Sequence, residues 1–453
     1  MMRRKIAAVM TPFRIIIAAY IVSIFIFSIL IWLPVSQNEG IRLTYMEALF
    51  TSVSAVSVTG LTVVDVSQTL SLTGVIILAL AMQVGGIGIM TLGTFIWLLL
   101  RRKINLSQRL LIMVDQNQYN FSGMVKLMRG ILLLALSIET IGALILGTHY
   151  LQYFDSVWEA YYQGAFGALS AFTNSGFDVT GQSFIPFVDD YFVQIVVITL
   201  IFAGAIGFPV LMEIKEYVQS IKRKKSYRFS LFTKVTVTTY FLLFGIGAFG
   251  IWLFEHDLFY AELTWHEQLF YSLFNSATAR SAGLATMDIS VYALPTLLFL
   301  SFLMIIGASP SSVGGGIRTT TFAVMFLTIK SFALGKSDVK VFGREIHPED
   351  KQRTFVVLSF FMFVLFVAIL MISFFEGNNP YVDLIDIIFV TSSAFGTCGL
   401  TIVPTSSFST SSQIILMVLM FIGRVGIVVF LFSVKRKETK SYYKYPTERI
   451  IIG

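Results

Sequence analysis

Long apolar runs of about 20 residues alternate with shorter segments rich in Ser, Thr, Ala and Gly along the whole chain. A helix of about 20 apolar residues crosses the ~30 Å hydrocarbon core of a membrane. The runs come in four pairs: 13–33 with 72–100, 127–146 with 193–214, 231–254 with 294–327, and 354–375 with 412–434. This pattern predicts an all-α polytopic membrane protein with eight transmembrane helices, in which each pair of spans encloses a short re-entrant segment.

The enclosed segments repeat one motif that carries a glycine near its end. It reads SAVSVTGL at 54–61, SAFTNSGF at 170–177, ATARSAGL at 277–284 and SAFGTCGL at 393–400. Another glycine of each unit, called here a second-register glycine, lies inside the second span: Gly85, Gly204, Gly307 and Gly423. Such a period defines architecture, and it predicts four span–loop–span units over 1–108, 109–225, 226–350 and 351–453, the last with a cytoplasmic C-terminal tail.

Charged residues are few and unevenly placed. They make up 13% of the chain, against about a quarter in a soluble domain. Of 33 Lys and Arg, 29 fall at one end of the predicted spans, and the other end holds 16 acidic residues and Arg42. Because basic loops stay cytoplasmic, both termini are predicted inside and the re-entrant segments outside. Nucleic acid is excluded as a partner, since its binding would not follow this sidedness; the basic run 222–225 is instead suited to anionic membrane lipid.

Non-helical backbone at membrane depth is tolerated only where it is buried or lines a pathway. Four equivalent loops around one axis present rings of carbonyl oxygens that can replace the hydration shell of a cation. The short helix before each loop, 46–56 in the first unit, directs its negative C-terminal end to the same centre. The alternative, that small residues only let helices pack, is disfavoured because the motif recurs four times in one register.

In each motif we call the glycine and the three residues before it a motif loop, and we number the motif loops 1 to 4 along the chain. The predicted cation-binding residues are Ser57, Val58, Thr59 and Gly60 in loop 1, Thr173, Asn174, Ser175 and Gly176 in loop 2, Arg280, Ser281, Ala282 and Gly283 in loop 3, and Gly396, Thr397, Cys398 and Gly399 in loop 4. Cys398, the only cysteine, has no nearby histidine in sequence to act as a base. It is therefore predicted to be a small loop residue that contributes its carbonyl.

Three arginines lie inside predicted membrane segments, where a charge costs at least about 2.5 kcal/mol and indicates function. Arg280 is predicted to hold neighbouring loop carbonyls or an outer acid, Asp178 or Asp288. The alternative for Arg280 is an exposed position at the outer mouth.

The second span of the third unit is interrupted between 309 and 321, where a proline and three consecutive glycines make a poor helix. We hypothesise that this stretch is a mobile intramembrane gate beneath the motif loops, met by Arg424 from the fourth unit. The predicted gate residues are Ser309, Pro310, Ser312, Gly314, Gly315, Gly316, Arg318 and Arg424. Alternatively, Arg424 is structural and pairs with Glu139.

The four motifs, with QVGGIG at 83–88, GASP at 307–310 and VGGGIRTT at 313–320, resemble the Trk/Ktr/HKT superfamily of K+ transporters. The similarity is greatest to KtrB-type membrane subunits of bacterial Ktr systems and covers essentially the whole chain. The resemblance implies a multi-pass protein of the bacterial cytoplasmic membrane, a homodimer, one pseudo-fourfold pore per chain and K+ uptake stimulated by Na+. It also implies a cytosolic KtrA-like RCK ring that binds ATP and ADP, with no cofactor in this chain itself.

In that family, glycine at all four motif positions accompanies K+ selectivity, a pattern that this sequence meets. The third motif departs from the others, with Ala277 where they have serine and with Arg280 where they have serine, threonine or glycine. The alternative function is a secondary K+/Na+ or K+/H+ symporter with alternating access, although such folds usually have inverted or twofold repeats. An intramembrane enzyme is disfavoured, since the sequence has no HExxH, no GxSxG and no paired intramembrane carboxylates. The tail, with Tyr442, Tyr443 and Tyr445, is predicted to reach a partner or a second protomer.

Overall fold

The computed structural model describes residues 11–89, 91–92, 124–224, 226–336 and 338–434, with 446 and 448. The first helices, in chain order, are α1 Pro12–Trp32, α2 Tyr45–Ser57, α3 Val66–Thr69, α4 Leu72–Ile87, α5 Met124–Tyr150, α6 Val157–Thr173, α7 Tyr191–Ala205 and α8 Phe208–Lys222. The remaining helices are α9 Leu231–Glu255, α10 Trp265–Thr278, α11 Leu294–Ile305, α12 Thr319–Ala333, α13 Pro348–Phe375, α14 Leu384–Gly396, α15 Thr410–Val425 and α16 Ile427–Val434.

The other regular elements are small. Single 3₁₀ turns lie at Pro34–Ser36, Ile185–Phe187, Phe259–Glu262, Ile289–Val291 and Thr405–Ser407. A hairpin of β1 Lys340–Val341 and β2 Arg344–Glu345 joins α12 to α13. The basic stretch 101–123 and the tyrosines predicted to reach a partner lie outside the described residues.

The apolar runs form long helices only in part. Within the described ranges, four helices are long and apolar enough to cross a membrane: Pro12–Trp32, Leu127–Tyr150, Leu231–Glu255 and Pro348–Phe375. Counting each bent pair, α7 with α8 and α15 with α16, as one span raises the number to six. The described chain is therefore a mostly helical, multi-pass architecture with fewer uninterrupted spans than the apolar runs predict.

The second apolar run of every pair is interrupted at corresponding positions. Helix α4 ends before Gly88, α7 and α8 meet at Gly207 with a bend of 104°, and α15 and α16 meet at Gly426 with a bend of 95°. These glycines have φ between 87° and 101°, a backbone region that favours glycine. Each follows its second-register glycine by three residues, the place that Pro310 takes in the third run. The break predicted in the second span of the third unit is therefore accompanied by interruptions in the other three second runs, which the apolar pattern did not predict.

Four short helices, α2, α6, α10 and α14, precede the motif loops. The prediction of a short helix over 46–56 is confirmed by α2, Tyr45–Ser57. Capping boxes start three of the four helices, at Thr44 with Glu47, Thr264 with Glu267, and Asp383 with its partner acid three residues on. In a capping box two side chains satisfy N–H groups that a helix start leaves unpaired, and the acid also favours the positive end of the helix dipole.

The short helices pack in a closed cycle with the helices that follow the preceding loop. Helix α6 packs against α4, α10 against α7, α14 against α11, and α2 against α15. Within a unit, three second-register glycines let the second span approach its own short helix: a Cβ on Gly85, Gly204 or Gly423 would collide with the backbone oxygen of Val56, Phe172 or Phe395, near the end of that helix. The cycle places the C-terminal ends of all four short helices around one centre.

Candidate functional site

The four motif loops share one backbone pattern. Positive φ occurs two residues before each motif glycine, at Val58 (57°), Asn174 (52°), Ser281 (90°) and Thr397 (49°), and again at each glycine, between 70° and 100°. Left-handed backbone is costly for a residue with a side chain, and a β-branched residue such as Val58 is a clear outlier there. Strain of this kind clusters at functional sites. Its recurrence at four equivalent positions marks the motif loops as such a site.

The structure brings the four motif glycines into a closed ring. A Cβ on Gly60 would lie 2.8 Å from the Cα of Gly176, and a Cβ on Gly176 would lie 3.2 Å from the Cα of Gly283. A Cβ on Gly283 would lie 3.0 Å from the Cα of Gly399, and a Cβ on Gly399 would lie 3.2 Å from the Cα of Gly60. All four positions are thus mutual neighbours around one centre. The four predicted loops therefore converge at their glycines.

A ring of four carbonyl oxygens accompanies the glycines. The backbone oxygens of Thr59, Ser175, Ala282 and Cys398 each lie against the motif glycine of the adjacent loop, within the space that a Cβ would fill. Glycine is therefore required for two separate reasons, positive φ and the neighbouring carbonyl. A side chain at any of the four positions would displace an oxygen of the next loop.

Serine hydroxyls tie two of the loops to the helices that precede them. The N–H of Gly60 donates to the Ser54 Oγ at 3.0 Å, and the N–H of Gly399 donates to the Ser393 Oγ at 3.0 Å. Ala277 occupies this position in the third motif and cannot accept such a bond. There the N–H of Ala282 bonds to the oxygen of Thr278, one residue later than in the other loops. The departure noted in the sequence thus changes the local hydrogen bonding.

Arg280 is buried behind motif loop 3, with 1% of its surface exposed. Its Nη1 donates to the backbone oxygen of Tyr240 in α9 at 2.8 Å, and its guanidinium lies 4.1 Å from the centre of the Tyr240 ring. The predicted contacts with neighbouring loop carbonyls, Asp178 or Asp288 are wrong, and so is the alternative of an exposed residue. The carboxylate of Asp178 instead accepts bonds from its own turn, and that of Asp288 caps a 3₁₀ turn.

Cys398 is also fully buried. Its Sγ lies 3.3 Å from the backbone oxygen of Thr278, and its own carbonyl faces Gly283. The thiol therefore packs between motif loops 3 and 4.

The chain between α11 and α12 is non-helical and lies directly against the motif loops. We call residues 306–318 the 306–318 loop. The N–H of Gly315 donates to the Ser281 Oγ at 3.3 Å, and a Cβ on Gly315 would lie 2.5 Å from the Oγ1 of Thr397. The same serine hydroxyl donates to the backbone oxygen of Thr397 at 2.9 Å. The predicted break in the helix is confirmed, and Gly314 and Gly315 are its closest approach to the motif loops.

The 306–318 loop is also bonded to the surrounding helices. The N–H of Ser309 donates to the oxygen of Ala205, that of Val313 to the oxygen of Gly204, and that of Phe208 to the oxygen of Ser311, at 2.8–3.3 Å. Inside the loop, the Ser312 hydroxyl donates to the Ser309 oxygen at 2.6 Å. Pro310 faces Gly207, and the N–H of Gly316 donates to the oxygen of Gly423. The 306–318 loop is thus an ordered backbone segment that is hydrogen-bonded to α7, α8 and α15.

Two arginines bind the oxygens of the 306–318 loop. Arg424, 7% exposed, donates from Nη1 to Val313 at 2.5 Å and to Gly314 at 3.1 Å. Its Nη2 donates to the oxygens of Gly85 and Gly86 at the end of α4. Arg318 donates to Gly314 at 2.5 Å and to Ser309 at 3.3 Å.

The alternative pairing of Arg424 with Glu139 is wrong. The carboxylate of Glu139 accepts a hydrogen bond from the Gln83 side chain of α4 instead. The predicted contact of Arg424 with the loop is confirmed, and that contact links α15, the loop and α4.

Sequence reasoning missed Ser54, Ser393 and Tyr240. The two serines carried a signal, because three of the four motifs begin with serine and the fourth begins with alanine. Tyr240 carried none, since it stands in an apolar run 40 residues from Arg280.

A bundle of apolar helices built around converging non-helical loops defines a polytopic membrane transport protein. The family model described as TrkH, cation transport protein, matches residues 2–445, and the chain belongs to this family.

Relatives match over nearly the full length. The chain is 49% identical to the Ktr system potassium uptake protein D of Bacillus subtilis, with 99% of each chain covered. It is 32% identical to the Ktr system potassium uptake protein B of the same organism, with 98% of this chain and 97% of that one covered. It is 31% identical to the potassium/sodium uptake protein NtpJ of Enterococcus hirae, with 100% and 99% covered. These relatives are named as uptake proteins and not as enzymes.

The fold is similar to that of a solved structure. The crystal structure of the potassium transporter TrkH from Vibrio parahaemolyticus superposes with a TM-score of 0.69 at 16% identity, covering 92% of this chain and 85% of that one.

Proposed function

We propose that this chain carries K+ across the bacterial cytoplasmic membrane through a channel-like pathway at the centre of the four motif loops. The observation that supports this most is the ring formed by the oxygens of Thr59, Ser175, Ala282 and Cys398 against four glycines. Backbone oxygens held around one axis replace the water that a cation loses on entry. The remaining motif-loop residues extend this coordination along the axis, so that the four span–loop–span units form one pseudo-fourfold pore per chain.

Electrostatics favours a cation over an anion at this centre. Three short helices end at the first residue of their motif loop, at Ser57, Thr173 and Gly396, and the third in chain order, α10, ends at Thr278, two residues before its loop. A helix C-terminus carries about half a negative charge, and four such ends meet here. The relatives named as potassium uptake proteins support K+ as the ion carried.

The 306–318 loop is proposed as the gate of this pathway. Gly314 and Gly315 press against Ser281 and Thr397 on the exit side of the ring, where an ion leaving the motif loops has to pass. Arg424 contributes a positive charge at the same depth and holds the loop to α4. Ion passage then requires the loop to leave these contacts.

Regulation is proposed to come from outside this chain. The relatives' names place them in a Ktr system, which supports a cytosolic KtrA-like RCK ring that binds ATP and ADP and acts on a homodimer of this chain. Na+ is proposed to stimulate uptake. With both termini cytoplasmic, the tail after α16 lies on the side where such a ring binds.

The proposed selectivity is tested by ion flux into liposomes that contain the purified chain, with K+, Rb+, Na+ or Li+ as the only cation. Wild type is expected to pass K+ and Rb+ and to exclude Na+ and Li+. Gly60→Ser is expected to admit Na+, because its Cβ would lie 2.5 Å from the Ser175 oxygen and push it from its place. Gly40→Ser is the matched control: its φ of 84° is close to the 91° of Gly60, but no atom lies within 4 Å of the added Cβ.

Equal flux of all four cations through wild type would remove the filter from the proposal. A turnover that saturates below about 10³ s⁻¹, the upper end of ordinary turnover numbers, with flux coupled to a Na+ or H+ gradient would favour the symporter instead. The interruptions at Gly88, Gly207 and Gly426 are compatible with that alternative, since transporters also use broken helices.

Deleting residues 312–316 tests the gate. The deletion removes the segment nearest Ser281 and Thr397, and K+ flux is expected to rise while the preference for K+ over Na+ stays. Unchanged flux from a correctly folded deletion variant would show that the loop does not limit passage.

A further inference from the structure

Helix α8 stands out because half of its length has an uncovered apolar side. Ile214, Val218 and Ile221 are 40%, 47% and 57% exposed. At 3.6 residues per turn these positions follow one another along one side of the helix. Tyr217 lies at the edge of this stripe, where its ring packs on Phe229 at 5.1 Å.

Charge is divided between the two sides of α8. At 100° per residue, Lys215 and Lys222 border one edge of the apolar stripe, Glu213 lies beyond Tyr217 at the other edge, and Glu216 lies on the far side. Both acids are already bonded: Glu213 accepts from the N–H of Ser230 at 3.0 Å, and Glu216 accepts from the Tyr227 hydroxyl at 3.1 Å. Along one edge the apolar stripe is therefore bordered by two lysines that form no ion pair with any described residue, and both acids bond to the connection to α9.

The same contacts fix the depth of α8. Ser230 caps α9, whose 25 residues span about 37 Å at 1.5 Å per residue, slightly more than the hydrocarbon core. The N-terminus of α9 therefore lies at the membrane boundary, and Glu213 holds α8 at that level. The 104° bend at Gly207 turns α8 away from the direction of α7, so that α8 runs along the boundary.

The corresponding helix after the other bend is covered. In α16, Phe432 stacks on Phe13 at 5.2 Å, and the Ser433 oxygen accepts from the Arg14 Nε at 2.7 Å. In α8, by contrast, the side chains of Ile214, Val218 and Ile221 are 40–57% exposed. The two bends thus produce one packed helix and one open amphipathic helix.

We propose that α8 is an interfacial helix that binds the anionic lipid leaflet, with Ile214, Val218 and Ile221 among the acyl chains and Lys215 and Lys222 at the phosphates. An amphipathic helix with lysines beside its apolar face has the composition of a membrane-surface helix, and long lysine side chains reach from the apolar boundary to the headgroups. Arg223 and Lys224, both exposed, extend the basic end of the helix.

Spin labels in the full-length chain test this placement. A nitroxide is attached to Val218→Cys on the stripe or, as the matched control, to Gln219→Cys, an exposed neighbour beyond its edge. The native Cys398 is fully buried, and unlabelled wild type checks that it does not react. Collision rates with oxygen, which concentrates in lipid, and with a water-soluble nickel chelate are compared in vesicles of phosphatidylcholine with or without phosphatidylglycerol.

The label at 218 is expected to favour oxygen severalfold over the label at 219, and more strongly with phosphatidylglycerol present. Lys215→Gln with Lys222→Gln is expected to weaken the preference for the anionic surface by about fivefold for each lysine. Equal depth in both lipids would overturn the anionic contact. Access of the nickel chelate to the label at 218 would place the apolar stripe in water and overturn the proposal. Protection of that label from both reagents would also overturn it, because it would show that protein covers the stripe, either a second copy or a part of the chain outside the described residues.

Discussion

Arg424 offers the sharpest test of the proposed gate, because one side chain joins three parts of the molecule. Its Nη1 binds the oxygens of Val313 and Gly314 in the 306–318 loop, and its Nη2 binds those of Gly85 and Gly86 in α4. Arg424→Gln shortens the side chain and removes the charge. The loop then keeps its backbone bonds to α7 and α15 but loses its tie to α4.

The size of the effect follows from the two bonds to the loop. A hydrogen bond to a charged group contributes about 1.5 to 3 kcal/mol net, and Arg424 is buried, so solvent does not weaken these bonds. Counting the loss of only one of the two bonds as a lower bound, 1.5 to 3 kcal/mol taken from the closed state shifts the equilibrium between closed and open states by at least about 10- to 150-fold. Removing a positive charge from the pathway also lowers the barrier to a cation, which acts in the same direction.

The assay is 86Rb+ uptake into proteoliposomes at equal protein content, with Arg424→Lys measured beside Arg424→Gln. Lysine keeps the charge but presents a single ammonium in place of the planar fork, so it cannot reach all four oxygens. We expect Arg424→Gln to give the larger rise in flux and Arg424→Lys a smaller one. If Arg424→Gln folds normally and its uptake equals that of wild type or falls below it, the reasoning about the closed state is refuted.

Three further outcomes follow from single contacts. Ser54→Ala leaves the N–H of Gly60 without its acceptor and is expected to lower stability by about 1 to 3 kcal/mol and to reduce the K+ preference in flux; an unchanged preference would separate this bond from selectivity. Gly207→Ala is expected to lower the melting temperature in detergent, because the φ of 101° at this position is costly for alanine. The control Gly245→Ala lies within α9, where no atom is near the added Cβ, and is expected to raise the melting temperature slightly. Glu376 is buried, which opposes its charge, but hydrogen bonds from Asn379, Ser412 and Ser409 lower its pKa overall. The stability that the Glu376 carboxylate contributes is therefore present above its unfolded pKa and is lost as pH falls through the lower folded pKa. Glu376→Gln is thus expected to reduce the fall in melting temperature between pH 6 and pH 3. A pH profile identical to that of wild type would contradict this.

The repeated parts of the site were predictable because repetition separates signal from chance. One Ser-Ala-Gly segment is ordinary helix-packing material, whereas four copies at matched spacing indicated the loops and their convergence. The break in the second span of the third unit was also predictable, since proline and consecutive glycines disfavour a helix irrespective of tertiary contacts.

Other features depended on tertiary contacts that a linear pattern does not contain. The apolar runs that contain Gly88, Gly207 and Gly426 are hydrophobic enough for continuous spans, and one glycine costs a helix only about 1 kcal/mol. The bends therefore arise from packing. The partner of Arg280 was missed because a buried guanidinium can be satisfied by a carbonyl and an aromatic ring, and an acid in the sequence near the predicted outer mouth was the more obvious candidate.

The ring of motif glycines is closed by four different segments of a single polypeptide. A substitution in one loop therefore alters one quarter of the ring and leaves three quarters intact, whereas a ring assembled from four identical subunits would change everywhere at once. The third motif already differs in this way, with Ala277 and Arg280 where the other motifs have other residues. Each quadrant can be altered in small, separate steps, so the ion preference of the proposed filter can change gradually during evolution.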